Sequence, residues 1–139
     1  MRGIDSNIIV YALNEDLPEH FFCKDLMKKV INGKEIVSIP SIVFMESFYA
    51  LVYAYKFKET EVKKRLIALI DSRNMILMDI TTATILLAFE IAEKFETGGR
   101  DSLIAASLLE NKIQEIYSHD SDFDKIILLK RIDPIITTT

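Results

Sequence analysis

Five carboxylates stand where the chain offers them chemistry: Asp5, Glu46, Asp101, Asp120 and Asp122. Glu46 is the most telling. It lies within Ile42-Val43-Phe44-Met45-Glu46-Ser47-Phe48-Tyr49-Ala50-Leu51-Val52, where any helical face is mostly apolar. A carboxylate there is costly to bury unless it is paired or coordinates a metal. Taken singly, each of the others has a structural reading. Asp5 suits an N-cap of the helical turn that follows it, and Asp101 suits a cap on the apolar helix after it. Asp120 and Asp122 lie in Ser-His-Asp-Ser-Asp, which is rich in turn formers. For Glu46 the alternative to a metal is an ion pair with a lysine or arginine from elsewhere. Should Asp5, Glu46, Asp101 and one of Asp120 or Asp122 converge, their like charges need compensation. Arg100 can serve one of them, and no lysine or arginine in these segments is an obvious partner for all. A hard divalent cation is the remaining solution: Mg²⁺ or Mn²⁺ takes oxygen ligands, keeps several waters and is commonly shared with substrate phosphates. Such a site activates water and neutralises charge on a phosphodiester, so metal-assisted phosphodiester hydrolysis is the chemistry this set suits.

The elements that must position these groups are legible in the hydrophobic pattern. Met1–Asp5 reads as a short strand, followed by a helical turn over Ile8–Leu13. Glu19–Asn32 has helical spacing and stops at Asn32-Gly33. Glu35–Ile39 is a β-branched run ended by Pro40, where a helix can begin. Ile42–Tyr55 is apolar nearly all round and predicts a buried helix. Glu59–Ser72 is amphipathic, Met75–Ile80 strand-like, and Thr82–Phe95 a helix stopped by Gly98-Gly99. Ser102–Asn111 predicts a short apolar helix, Glu115–Ser118 a strand and Ile132–Ile136 a last one. Short apolar strands alternating with helices define an α/β class with a mainly parallel sheet covered on both faces. In such sheets ligands bind beyond the carboxyl ends of the strands, near a topological switch point. Asp5, Asp120 and Asp122 are predicted at that edge, with Glu46 a turn or two into the following helix.

The chain has 139 residues, 17 Lys+Arg against 21 Asp+Glu, a formal charge of −4 and an apolar fraction of 50%. One domain over residues 1–139 with a proper core is expected, which excludes a disordered or fibrous protein. A single cysteine, Cys23, excludes a disulfide framework and a Cys-based zinc site, and only two histidines exclude a His-rich cluster. The mild acidity argues against a nonspecific polybasic nucleic-acid binder. No stretch reads as a targeting signal or a membrane span, so a cytoplasmic protein without membrane association is expected.

Four segments, in order, resemble the motifs of the PIN domain. Ile4-Asp5-Ser6-Asn7 is similar to the first, a strand-end aspartate with asparagine two residues on. Pro40 to Glu46 resembles the second, and Arg100-Asp101-Ser102-Leu103-Ile104-Ala105-Ala106 the third, an aspartate opening an Ala-rich helix. Ile116-Tyr117-Ser118-His119-Asp120-Ser121-Asp122-Phe123 resembles the fourth, and Arg131-Ile132-Asp133-Pro134 the closing strand. Each is weak alone, but together they cover nearly the whole chain, and the likeness is closest to the small VapC-like toxins of toxin–antitoxin pairs. This resemblance implies a three-layer α/β/α sandwich, a Mg²⁺- or Mn²⁺-dependent ribonuclease acting on RNA, a homodimer, and a cognate antitoxin that blocks the site. It implies Asp5, Glu46 and Asp101 as core metal ligands and catalytic groups. Asp120 completes the site directly or through water, and Asp122 is a fifth acid. Ser118 would hydrogen-bond a carboxylate or a metal-bound water, and Asn7 would orient Asp5. His119 reads as solvent-facing. The dimer surface is expected on exposed apolar residues of Ile42–Tyr55 and Glu59–Ser72. Overall acidity departs from an RNA-binding surface, leaving Lys56, Lys58, Lys63, Lys64 and Arg65 as the local basic cluster, which reads first as a solvated helix face.

Two enzyme rivals fall behind. A phospho-receiver needs an adjacent acidic pair after an early strand and a lysine ending a late one; Asp5 precedes Ser6, and Glu115–Ser118 holds no lysine. A haloacid-dehalogenase-type phosphatase needs Asp-x-Asp where this chain has Asp5-Ser6-Asn7. The alternative from another class is a catalytically idle PIN-like scaffold that binds RNA or protein.

Overall fold

The structure is a computed structural model and describes residues 1–135. Its centre is a five-stranded sheet in the order β3-β2-β1-β4-β5. The strands are β1 (Arg2–Ile4), β2 (Val37–Pro40), β3 (Met75–Met78), β4 (Glu115–Tyr117) and β5 (Lys130–Ile132), and every neighbouring pair is parallel. Six α-helices cover it: α1 (Ser6–Leu13), α2 (His20–Ile31), α3 (Ser41–Tyr49), α4 (Glu59–Ile70), α5 (Thr82–Phe95) and α6 (Gly99–Leu109). Helices α1 to α4 pack on one another in one layer, and α5 pairs with α6 in the other. The result is a three-layer α/β/α sandwich.

Handedness explains this division. From β1 the chain steps outward to β2 and then β3, and the helices of those two crossovers share one face. The return from β3 to β4 runs the opposite way across the sheet, so right-handed crossovers put α5 and α6 on the other face. The direction of winding reverses between β1 and β4, which are hydrogen-bonded neighbours. That is the switch point at which a parallel sheet opens a crevice.

The core joins both layers through the sheet: Ile4, Ile8, Ile39, Ile104, Leu108 and Ile116 are fully buried. Gly3 in β1 allows the closest approach. A Cβ built there would lie 2.5 and 2.6 Å from the two methyl carbons of Leu108 in α6. Gly33, at φ +78°, ends α2 in the left-handed region that glycine adopts without strain.

The structure corrects the expected elements in four places. Ile42–Tyr55 is not one buried helix: α3 gives way to a π-helical turn over Ala50–Ala54, and Met45, Tyr49 and Tyr53 are exposed. Gly98-Gly99 does not stop α5, which ends at Glu96 in the left-handed conformation, φ 55°. Gly98 instead caps α6 and Gly99 opens it, so Asp101 lies inside the first turn of that helix rather than capping it. The last strand is Lys130–Ile132, not Ile132–Ile136. Pro134 has no N–H to extend the ladder, an edge strand tolerates the charges of Lys130 and Arg131, and Ile136 lies outside the described residues.

Gly3→Ala is expected to destabilise the protein by about 1–3 kcal/mol, because Leu108 is enclosed and cannot yield freely. Denaturant unfolding measures this, and adding Leu108→Ala should remove the overpacking part of the Gly3→Ala cost in a double-mutant cycle.

Candidate metal centre

Asp5 follows β1 directly and is fully buried. Its backbone N–H donates to the Tyr117 carbonyl of β4 at 3.0 Å, which fixes it at the switch point. Oδ1 accepts from the Ser6 backbone N–H at 2.7 Å, so the N-cap role is real. Oδ2 accepts from Ser118 Oγ at 2.7 Å. Ser118, just past β4, also accepts from the Asp120 N–H at 3.0 Å and thereby ties two carboxylate-bearing segments together. Asp120 in turn accepts from the Asp122 N–H at 2.9 Å, opening a 3-10 turn over Ser121–Lys125. The turn-forming role expected for this segment therefore coexists with its place at the site.

Glu46 arrives from the second turn of α3 and Asp101 from the first turn of α6. Arg100 joins them all, reaching more than the single acid expected of it. Its Nη2 donates to Asp5 Oδ1 and to Ser6 Oγ, both at 3.2 Å. Nη1 donates to Asp101 Oδ1 at 3.2 Å and lies 4.0 Å from Asp120 Oδ2, while Nε pairs with Glu46 Oε2. Four carboxylates from four separate segments thus surround one guanidinium. The ion pair weighed for Glu46 is the arrangement observed.

The donor set suits a hard cation. Asp101, Asp120 and Asp122 each present an oxygen, all within 4.8 Å of one another. Glu46 Oε1 is buried without a hydrogen-bond partner, an expensive condition for a carboxylate oxygen. The electrostatics agree. Burial pushes the Asp5 carboxyl above the usual range, against the pull of Ser118 and Arg100. Burial raises Glu46 too, although Arg100 opposes it. Asp101 is pushed up to about 6, first by burial and then, Arg100 notwithstanding, by the charges of Asp120, Asp5 and Asp122.

Asn7 makes no hydrogen bond to Asp5; its Oδ1 is buried and unpartnered. The sequence has Asn7 orient Asp5 and Ser118 hydrogen-bond a carboxylate or a metal-bound water; in the structure Ser118 and Ser6 hold Asp5. His119 is exposed as expected, its Nδ1 2.7 Å from Asp133 Oδ2. Lys56, Lys58, Lys63, Lys64 and Arg65 are all exposed, and Arg65 pairs with Glu61 one helical turn away.

The family model described as PIN domain matches residues 4–127. The chain belongs to the PIN-domain family. Among curated proteins it is similar to Ribonuclease VapC6 of Methanocaldococcus jannaschii, 24% identical over an alignment spanning 93% of this chain and 94% of that protein. Among solved structures it resembles Mycobacterium tuberculosis VapC20, described as a sarcin-ricin loop cleaving toxin, with 17% identity, TM-score 0.76 and coverage of 91% and 95% of the two chains. VapBC2 from Rickettsia felis, bound to a DNA fragment from its promoter, gives 19% identity, TM-score 0.70 and coverage of 95% and 97%. The PIN-domain fold expected from the four motifs is thereby established.

A carboxyl raised in the folded state holds a proton there that it lacks when unfolded. Between the ordinary value of 3.8 and about 6 the folded protein carries more of the Asp101 proton, so the Asp101 contribution to stability is present at low pH and is lost as pH rises through about 6. In chelator, thermal unfolding should therefore show wild type losing stability relative to Asp101→Asn from pH 4 to 7. A flat difference would show that Asp101 is not raised.

Proposed function

We propose that this PIN-domain protein, as one domain over residues 1–139, is a Mg²⁺- or Mn²⁺-dependent ribonuclease and the toxin of a toxin–antitoxin pair. The observation that carries the reading is the convergence of Asp5, Glu46, Asp101 and Asp120 on one point at the sheet's switch crevice. Kinship to a protein named as a ribonuclease and likeness to VapC structures support it.

Asp5, Glu46, Asp101 and Asp120 are the residues that would hold the ion, with Asp122 at its outer edge. A bound Mg²⁺ or Mn²⁺ supplies Lewis-acid stabilisation of the phosphodiester and lowers the pKa of water toward neutrality. The chain's own residues do the positioning. Ser118 aims Asp5 through its hydroxyl and sets Asp120 through that residue's N–H. The first turn of α6 carries Asp101, and the N-terminal partial charge of the helix favours the anionic carboxylate there. Phe48, Tyr49 and Tyr53 line an open groove beside Glu46, on the side from which substrate would reach the site.

A protein antitoxin is the proposed partner, as in the solved complexes of VapBC type. The protein is proposed to act as a cytoplasmic homodimer; no helix among the described residues is long and apolar enough to cross a membrane. Exposed Met45, Tyr49, Tyr53, Ile67 and Ile70 lie on the two stretches assigned to the dimer surface.

The test is cleavage of a pool of structured and single-stranded RNA in Mn²⁺ or Mg²⁺ by protein freed of any partner. Metal-dependent cutting is expected, falling at least about 100-fold in Asp101→Asn. Folded wild type that neither cuts RNA nor binds Mn²⁺ would instead favour the idle scaffold.

A further inference from the structure

We propose that Arg100 is a built-in counter-ion of this site, competing with the divalent cation for the same carboxylates, and that metal binding requires its guanidinium to leave Asp5 and Asp101. The proposal rests on the metal-dependent reading above and goes beyond it by assigning a role to a residue outside the ligand set.

Three observations carry it. First, every nitrogen of the Arg100 guanidinium is engaged with the cluster: Nη2 with Asp5 and Ser6, Nη1 with Asp101, Nε with Glu46. Second, both Asp5 oxygens are already engaged, and Arg100 holds one of them. Oδ2 points to Ser118, and Oδ1 already takes the Ser6 N–H together with Arg100. Asp5 is fully buried, and the part-exposed Arg100 is the cationic side chain that reaches it. Third, Arg100 is itself 43% exposed while Asp5 is not exposed at all. The arginine therefore covers the cluster from the solvent side and can withdraw without unfolding anything. A groove of about 710 Å³ lies beside it, lined by Glu46, Met45, Phe48, Tyr49 and Tyr53. Its tyrosine faces offer a displaced guanidinium a favourable neighbour.

The consequence is a specific trade. In the absence of metal, Arg100 offsets the repulsion among the acids and stabilises the fold; on metal binding, its contacts are given up and the apparent affinity is lowered by that loss. Removing the guanidinium should weaken the metal-free protein and tighten metal binding at once. A residue that merely supported the ligands would do the reverse to affinity.

The test is a calorimetric Mn²⁺ titration of full-length protein stripped with chelator, comparing wild type, Arg100→Gln, Arg100→Lys and Asp101→Asn, with thermal unfolding of each in chelator. Arg100→Gln should bind Mn²⁺ about tenfold or more tightly than wild type and melt lower in chelator. Arg100→Lys should fall between them. Should Arg100→Gln fail to fold, wild type itself answers through the Arg100 Nε–H resonance, assigned by its loss in Arg100→Lys. It should move with the same midpoint as Mg²⁺ binding. Equal or weaker Mn²⁺ affinity in Arg100→Gln, or an Arg100 resonance indifferent to Mg²⁺, overturns the proposal. If wild type binds Mn²⁺ and Asp101→Asn does not, such a failure concerns Arg100 alone. If no variant binds Mn²⁺, the metal-dependent reading fails and the proposal with it.

Discussion

Like charge confined at a sheet edge is the constraint on which this molecule turns. Asp5, Glu46, Asp101 and Asp120 approach a common point from four segments, and one guanidinium faces them all. The opposite end of the sheet shows what ordinary compensation looks like. There Arg2 meets two acids, Glu35 at 3.0 Å and Glu115 at 3.7 Å, and the Tyr117 hydroxyl donates to Glu35 as well. At the carboxyl edge Asp5, Glu46 and Asp101 are all raised by burial in spite of Arg100. One positive charge, spread over planar nitrogens and partly solvated, underneutralises such a set. A compact divalent ion concentrates more charge at a point and matches oxygen donors better.

The fold makes that confinement unavoidable. Parallel strands deliver their carboxyl ends to one edge, and the reversal of winding between β1 and β4 leaves that part of the edge uncovered by a crossover. Asp5 and Ser118 leave these two neighbouring strands at matched heights, because Ile4 pairs with Tyr117 in the ladder. Glu46 and Asp101 come from helices in opposite layers, so the sheet between those layers sets their separation. Gly3, one turn of the pleat before Asp5, lets Leu108 of α6 press against β1. The distance from Asp101 to Asp5 is therefore set by core packing as much as by charge.

What could be read from the sequence was what is local. A strand, an acid at its end and a helix after it form a pattern within ten residues, and this is why the acids, their order and the parallel α/β class were legible. Glu46 stood out because a carboxylate in an apolar run has few inexpensive fates. The reach of Arg100 was not legible: its side chain spans the crevice only once α6 is docked against β1 and β2, and nothing in Gly98-Gly99-Arg100 encodes that. The π-helical turn escaped for a similar reason. An apolar run looks the same whether its hydrogen bonds close at four residues or five, and the exposed Tyr49–Tyr53 pair, with ring centroids 4.8 Å apart, is settled only by packing. Asn7 was misjudged because the motif's spacing places it near Asp5 in sequence, while the helical geometry of α1 brings Ser6 to the carboxylate instead.

The site divides into a fixed half and an adjustable half. Asp5, Ser118 and Asp120 are joined by short hydrogen bonds, and Ser118 is anchored to the edge strand by its N–H to the Ile132 carbonyl at 3.1 Å. Moving one of these residues means breaking the ladder. Glu46 and Arg100 have no such anchorage: one oxygen of Glu46 lacks a partner, and Arg100, apart from its bond to Ser6 Oγ, is held by charges that another cation can take. The groove opens on this looser side, where α3 yields to the π-helical turn. Rigid ligands on the sheet with a movable ion pair on the helices give the centre a defined position and still leave a way in. A cluster rigid on both sides would hold its carboxylates against repulsion with no route to relieve it, and one loose on both sides would splay. The arrangement seen here satisfies both demands with a single long cationic side chain.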